Sequence, residues 1–194
     1  MKQPGIAVEV YVVKVTLLGT SPPVWRRILV PRDITLRHLH RTLQTVMGWT
    51  NSHLHQFVVP RQRISDPKSR GGTKVANENR TRLGELIWTV GVRLLYEYDF
   101  GDGWQHELLL EEVLLGDETF QQTCVAGKRC CPPEDCGGPQ GFAELLQALR
   151  DANHPGHEEV CEWLGDYVPE SFSAEQINRR LHRRKKLTRQ KPGP

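Results

Sequence analysis

Three groups of residues in this 194-residue sequence have the types and spacing that chemistry uses. The first lies in and around LLYEYDFGDGWQHELLLEEV (94–113), which brings Asp99, Asp102, His106 and Glu107 towards one turn, with His53 and His55 upstream. Carboxylate and imidazole together can hold a divalent ion or transfer protons. Asp99, Asp102 and His106 are therefore the candidate catalytic residues, with His53 or His55 as a further member. Each also has a plain structural use. An Asp between two glycines is what a tight turn wants, Asp99 can cap nearby backbone donors, and His106 can hydrogen-bond Asp99 across the hairpin.

The second group is Cys124, Cys131 and Cys136, spaced C-x6-C-x4-C on a stretch rich in Pro and Gly. Zinc takes about four ligands from thiolate, imidazole or carboxylate. These three thiols with His106 (or Cys130 or Cys161) form a candidate zinc site. Vicinal Cys130 and Cys131 seldom both reach one metal, which favours a fourth ligand from elsewhere. No C-x2-C pair is present, so free or redox-active thiols and a disulfide stand as alternatives. Bound zinc would contribute on the order of 10 kcal/mol to ordering such a loop.

The third group is basic. Residues 176–194 carry eight Lys and Arg and no acid, among them Arg179, Arg180, Arg183, Arg184, Lys185 and Lys186. Taking those eight from the net charge of +3 leaves −5 on residues 1–175. The chain is thus a mildly acidic globule with a basic end. Such an end attracts the phosphate backbone of DNA or RNA in a salt-dependent way but reads no bases. A solvated tail explains the same run without a partner.

These residues need elements to position them. Residues 7–18 alternate as a strand with Tyr11, Val13, Val15 and Leu17 on one face. After Gly19–Pro23 turns the chain, residues 24–30 form an antiparallel partner, with Arg26 and Arg27 on opposite faces. From Thr35 the period becomes helical: Leu36, Leu39, Leu43, Val46 and Met47 share a stripe. Asp33 or Thr35 caps its start and Gly48 its end. Residues 51–60 read as a third strand with His53 and His55 on one face, and 61–82 as a long surface loop. Leu83–Ile87 is one short turn. Leu94, Tyr96, Tyr98 and Phe100, then Trp104, His106, Leu108 and Leu110, alternate about Gly101–Gly103 as a hairpin with an aromatic face. Residues 121–141 read as irregular. Three helices follow: one through Phe142–Leu149, one about Val160–Leu164, and one opened by Ser173 with Gln176 at capping-box spacing. The aromatic set Trp25, Trp49, Trp104, Tyr96, Tyr98 and Phe100 is core, or the lining of a groove.

Length fits one α+β domain over residues 1–182, with its Cys-rich loop at 121–141 and a basic, flexible tail at 183–194. No apolar run is long enough to span a bilayer, so no membrane role is expected. The N-terminus MKQPGIAVEVYVV lacks the apolar core of a signal peptide, which points to the cytoplasm.

Four stretches make the sequence recognisable: KVTLLGTSPPVWRRILVP (14–31), TLRHLHRTLQTVMGWTNSHLHQF (35–57), the hairpin itself (94–113) and CCPPEDCGGPQGF (130–142). In this order they resemble the plasmid pRiA4b open-reading-frame-3 family, whose members are sometimes labelled passenger proteins of mobile elements. The resemblance implies a mostly antiparallel sheet packed on one central helix, with helices after the Cys-rich loop. It implies no particular activity. Aligned on CPPEDCGG, the family's usual cysteine falls at Cys131, and Cys130 is the extra one.

The reading that follows is a binding or interaction module rather than an enzyme, associated with nucleic acid through its basic C-terminal helix and tail. Two alternatives stand beside it. One is a metal-dependent enzyme using the Asp/His cluster of the hairpin; the other is a scaffold stabilised by zinc on the cysteines. No protein partner is specified by the sequence.

Overall fold

The computed structural model describes residues 7–60, 62–68 and 75–187, with side chains to residue 183. Within them the chain forms β1 (Val8–Leu17), β2 (Val24–Pro31), α1 (Leu36–Met47), β3 (His55–Val59), β4 (Gln62–Ser65), β5 (Ala76–Asn77), α2 (Leu83–Leu86), β6 (Arg93–Tyr98), β7 (Trp104–Gly116), β8 (Thr123–Lys128), α3 (Gly138–Arg150), α4 (His157–Leu164) and α5 (Ala174–Leu187). The strands make one sheet in the order β5-β4-β3-β6-β7-β1-β2-β8. Every pairing is antiparallel except β4 with β5. The fold is α+β, as its alternating and helical stretches require.

One face of the sheet is the core. On β2, Val24, Arg26, Ile28 and Val30 are buried while their neighbours are half-exposed. Leu94, Tyr96 and Tyr98 of β6 and Trp104, His106, Leu108 and Leu110 of β7 continue that face. Helix α1 is buried against it through Leu36, Leu39, Leu43 and Val46, none of which has any exposed surface. Truncating one of these to Ala would cost about 2–5 kcal/mol. Thr35 caps α1 by accepting from the His38 amide, and Gly48 closes it in the left-handed region, at φ 93°, where a Cβ would be strained. Arg26 is buried on the same face because its guanidinium donates to carbonyls of Val46, Trp25 and Lys128. Helix α5 packs on α1 and β8, and Asn178 pairs with both backbone groups of Cys124.

Several expectations change. The third strand starts at His55, not at residue 51, because Asn51 takes a left-handed conformation (φ 63°) and the chain runs irregularly to Leu54. His53 therefore lies on a loop and does not share a strand face with His55. Residues 61–82 are not all loop. They hold β4 and β5, and Arg82 bridges to Thr35. Residues 121–141 are only partly irregular: β8 fills 123–128 and α3 begins at Gly138. The hairpin closes at the Tyr98–Trp104 pair, which leaves Phe100 in the turn and exposed. The three C-terminal helices are present, and Ser173 accepts from the Gln176 amide as its spacing suggests. Helix α5 continues to Leu187, while residues 188–194 of the expected tail lie outside the described residues. No helix among the described residues is long and apolar enough to cross a membrane.

Candidate functional site

The loop after α1, the β6–β7 turn and the loop before α3 meet at one end of the sheet. The first supplies His53, the second Asp99, and the third Glu134 and Asp135. Ligand atoms of His53, Asp99 and Asp135 all lie within 4.8 Å of one another. His53 Nδ1 is 3.7 Å from Asp99 Oδ2, and Nε2 is 3.2 Å from Asp135 Oδ1 and 3.7 Å from Glu134 Oε2. Although shielded from solvent, Nε2 makes no hydrogen bond. A polar atom so placed costs stability unless something fills its coordination.

Local sequence explains how each group is held. Asp99 sits at φ 54°, a conformation that Asp tolerates better than most residues. Its Oδ1 accepts from the amides of Gly101 and Asp102 at 3.0 and 3.3 Å, an Asx-type turn that leaves Oδ2 facing His53. Glu134 accepts from the Thr50 amide and hydroxyl and from the Tyr98 hydroxyl. Tyr98 is stacked on Trp49, whose indole N–H donates to the Pro132 carbonyl at 3.0 Å. Burial and the neighbouring Glu134 carboxylate push the Tyr98 hydroxyl well above its usual range, so it remains a donor. Asp135, also left-handed at φ 57°, is the most exposed member. Leu54 and Phe100 rim the adjoining pocket.

Of the hairpin's three candidates, only Asp99 belongs here. The Asp102 carboxylate accepts from the Gly137 amide at 3.2 Å, at the N-terminus of α3, where a negative charge suits the helix dipole. His106 is wholly buried under Trp49, with its Nδ1 turned to the Tyr96 carbonyl at 3.3 Å rather than to Asp99. Burial lowers its pKa to about 3 and keeps it neutral. His55 joins a different network. Its ring stacks on His40 at 3.5 Å and its Nε2 lies 2.6 Å from Glu78 Oε2.

The cysteine set also separates. Among the described residues, the one group of three or more potential ligands close enough to share an ion contains no cysteine. Cys124 is buried on β8 beneath α5. Cys131 lies 3.5 Å from both Met47 Sδ and the Arg26 guanidinium, a positive charge that opposes a cation. Burial pushes the thiols of Cys131 and Cys136 up to about 12. All five cysteines are free. Of the basic residues, Arg179 pairs with Glu175, whereas Arg180 and Arg183 line a surface pocket with Gln44, Thr45, Gly48 and Trp49. Arg184, Lys185 and Lys186 lie on α5, with side chains outside those described.

Glu134 and Asp135 were not legible as site residues. Their one signal is an acidic pair inside PPEDCGG, where the flanking cysteines dominate a search for ligands.

Comparison with known proteins agrees with this architecture. The chain is 38% identical over 169 residues to the uncharacterized protein y4hQ of Sinorhizobium fredii, covering 86% of this chain and 87% of that one. It resembles the crystal structure of MM3350 from Methanosarcina mazei Go1, described as a protein of unknown function, with a TM-score of 0.78 and 36% identity over 87% of this chain and 97% of that chain. Residues 9–178 match the family of plasmid pRiA4b ORF-3-like proteins, and the chain belongs to that family.

Proposed function

We propose that the protein is a binding module built around a divalent cation held by the cluster of His53, Asp99, Glu134 and Asp135. The observation that carries this reading is the convergence of an imidazole and two carboxylates within 4.8 Å at the sheet's end, beside a third carboxylate. One nitrogen with several oxygens suits a first-row ion such as Zn²⁺ or Mn²⁺ better than an all-oxygen cage suits it. Few protein ligands and a solvent-facing pocket leave coordination positions free. There the ion can take an oxygen of a ligand or polarise a bound water.

Titration calorimetry with Zn²⁺ and Mn²⁺ tests this. One ion per chain is expected, with binding lost in His53→Ala. If the wild-type protein takes up neither ion, the reading fails. It also fails if uptake survives His53→Ala but is abolished by Cys131→Ser, which would return the metal to the thiols.

A second reading, association with DNA or RNA through α5, draws on Arg180 and Arg183, which have no carboxylate partner among the described residues. They lie beside the C-terminus of α1, whose negative dipole end attracts arginines in any case. Nucleic-acid binding that weakens steeply with salt and disappears on charge reversal of both arginines supports it. Binding that is unaffected by the reversal sinks it.

A further inference from the structure

We infer that Cys161 is a site of reversible oxidation by neutral hydroperoxides, with His157 as the base that frees its sulfur. The pair belongs to α4 and has no part in the function proposed above.

His157 and Cys161 are four residues apart on α4, so they stack on one side of the helix. Val160 and Leu164 pack against the core and fix the face that the pair flanks. His157 Nδ1 lies 2.8 Å from the Ala148 carbonyl, in the last turn of α3. A carbonyl only accepts, so in the neutral ring Nδ1 carries the proton and Nε2 keeps its lone pair. Nε2 lies 3.6 Å from Cys161 Sγ, within hydrogen-bond reach for sulfur, and there the thiol is the donor. A thiol bonded to a base that a third group orients is the arrangement of an activated nucleophile. The positive charge that the ring gains with the thiol proton falls at the C-terminal end of α3, where the helix dipole favours it.

The other thiols lack this arrangement. Cys124 and Cys131 are buried, and burial raises both of them and Cys136, which keeps their protons in place. Among the described residues no other cysteine is hydrogen-bonded to an imidazole, and Cys161 is the exposed one of the five. With a hydroperoxide the thiol proton passes to His157 Nε2, and sulfur attacks the hydrogen-bearing peroxide oxygen as the O–O bond breaks. The departing oxygen takes a proton from the imidazolium and leaves as water or an alcohol. Sulfur is oxidised by two electrons to the sulfenic acid, and the peroxide is reduced by the same two. Thiols return the site, first by forming a mixed disulfide with loss of water. Glu158, Glu159 and Glu162 make α4 acidic, which disfavours an anionic oxidant and leaves a neutral one.

Peptide mass spectrometry tests this on the intact chain, treated with hydrogen peroxide at pH 7 in the presence of a sulfenic-acid trap. Cys161 is expected to be labelled before any other cysteine. An unassisted thiol with a pKa of about 8.5 is only a few per cent ionised at pH 7, so Cys161 should react about tenfold faster than free cysteine in the same buffer. His157→Gln should slow its labelling about tenfold, whereas mere loosening of α4 would speed it. A wild-type rate equal to that of free cysteine overturns the proposal without recourse to any variant. Equal or faster labelling in His157→Gln overturns it too, as does labelling that falls first on Cys130 or Cys136.

Discussion

His53 and His55 are two residues apart and finish in opposite surroundings. His55 enters a closed network. It stacks on His40 and pairs with Glu78, whose carboxylate is also reached by Arg37. His40 in turn donates from Nε2 to Asn51 and accepts at Nδ1 from the Tyr96 hydroxyl, a tautomer inferred from those partners. Tyr96 receives Gln44, and Gln44 receives the Asn51 amide. Each of these polar atoms is spent on another part of the protein. His53, on the open side, has three carboxylates within 4 Å and no hydrogen bond at Nε2. Histidine beside acid is thus no sign of function by itself. Unspent capacity beside several acids is the better sign, because a buried polar atom without a partner is costly; His106 Nε2 is also unpaired, but it lies in the core with no carboxylate beside it among the described residues.

The largest effect that separates the two regions should be on stability. Glu78→Ala strips buried partners from His55 and Arg37 and should cost about 3 kcal/mol in urea denaturation. A cost below about 1 kcal/mol would mean that the closed network is as dispensable to the fold as the open one.

A smaller effect follows from pH. Burial holds His40 and His106 down to about 3, with charge repulsion from His55 adding to the first. The unfolded chain takes up both protons near the ordinary imidazole value of about 6.5. The native protein refuses them until pH falls to about 3, so stability is complete above about 6.5 and declines as pH drops below it. The urea midpoint should therefore be lower at pH 5 than at pH 7.5. A flat profile between them would show that these rings are not held neutral.

The smallest stability change should come from the open side. Asp135 is mostly exposed, and Asp135→Ala should alter metal-free stability by no more than about 0.5 kcal/mol, while removing cation uptake in the same preparation. A large stability loss would place Asp135 with the structural carboxylates.

Much of the fold was legible because its signals are local and periodic. The stripe from Leu36 to Met47, the Thr35 and Gly48 caps and the alternation in β1, β2, β6 and β7 all survive in the structure. β4 and β5 are too short to show a period, so they read as loop. The site was legible only in part. Asp99 and His53 carry chemistry in the sequence, but alternation carried through 51–60 puts His53 on the wrong surface, because the left-handed tendency of Asn51 is a weaker signal than the apparent period. Asp102 and His106 stand apart from the His53 cluster, since proximity in sequence hides that one caps α3 and the other points into the core. Glu134 and Asp135 reach the site only through packing between distant segments.

That packing rests on two glycines. A β-carbon on Gly138 would overlap the Asp102 carbonyl, and one on Gly141 would overlap that of Cys136. Backbone is thus pressed directly on backbone where the hairpin turn meets the start of α3, with no flexible side chain between them to absorb a shift. The turn carries Asp99, and the segment leading into α3 carries Asp135. The separation of the two carboxylates is consequently gauged by the thickness of the peptide backbone. A gap fixed in this way behaves as a caliper, and adding one methyl group to a glycine that touches neither carboxylate would reset it.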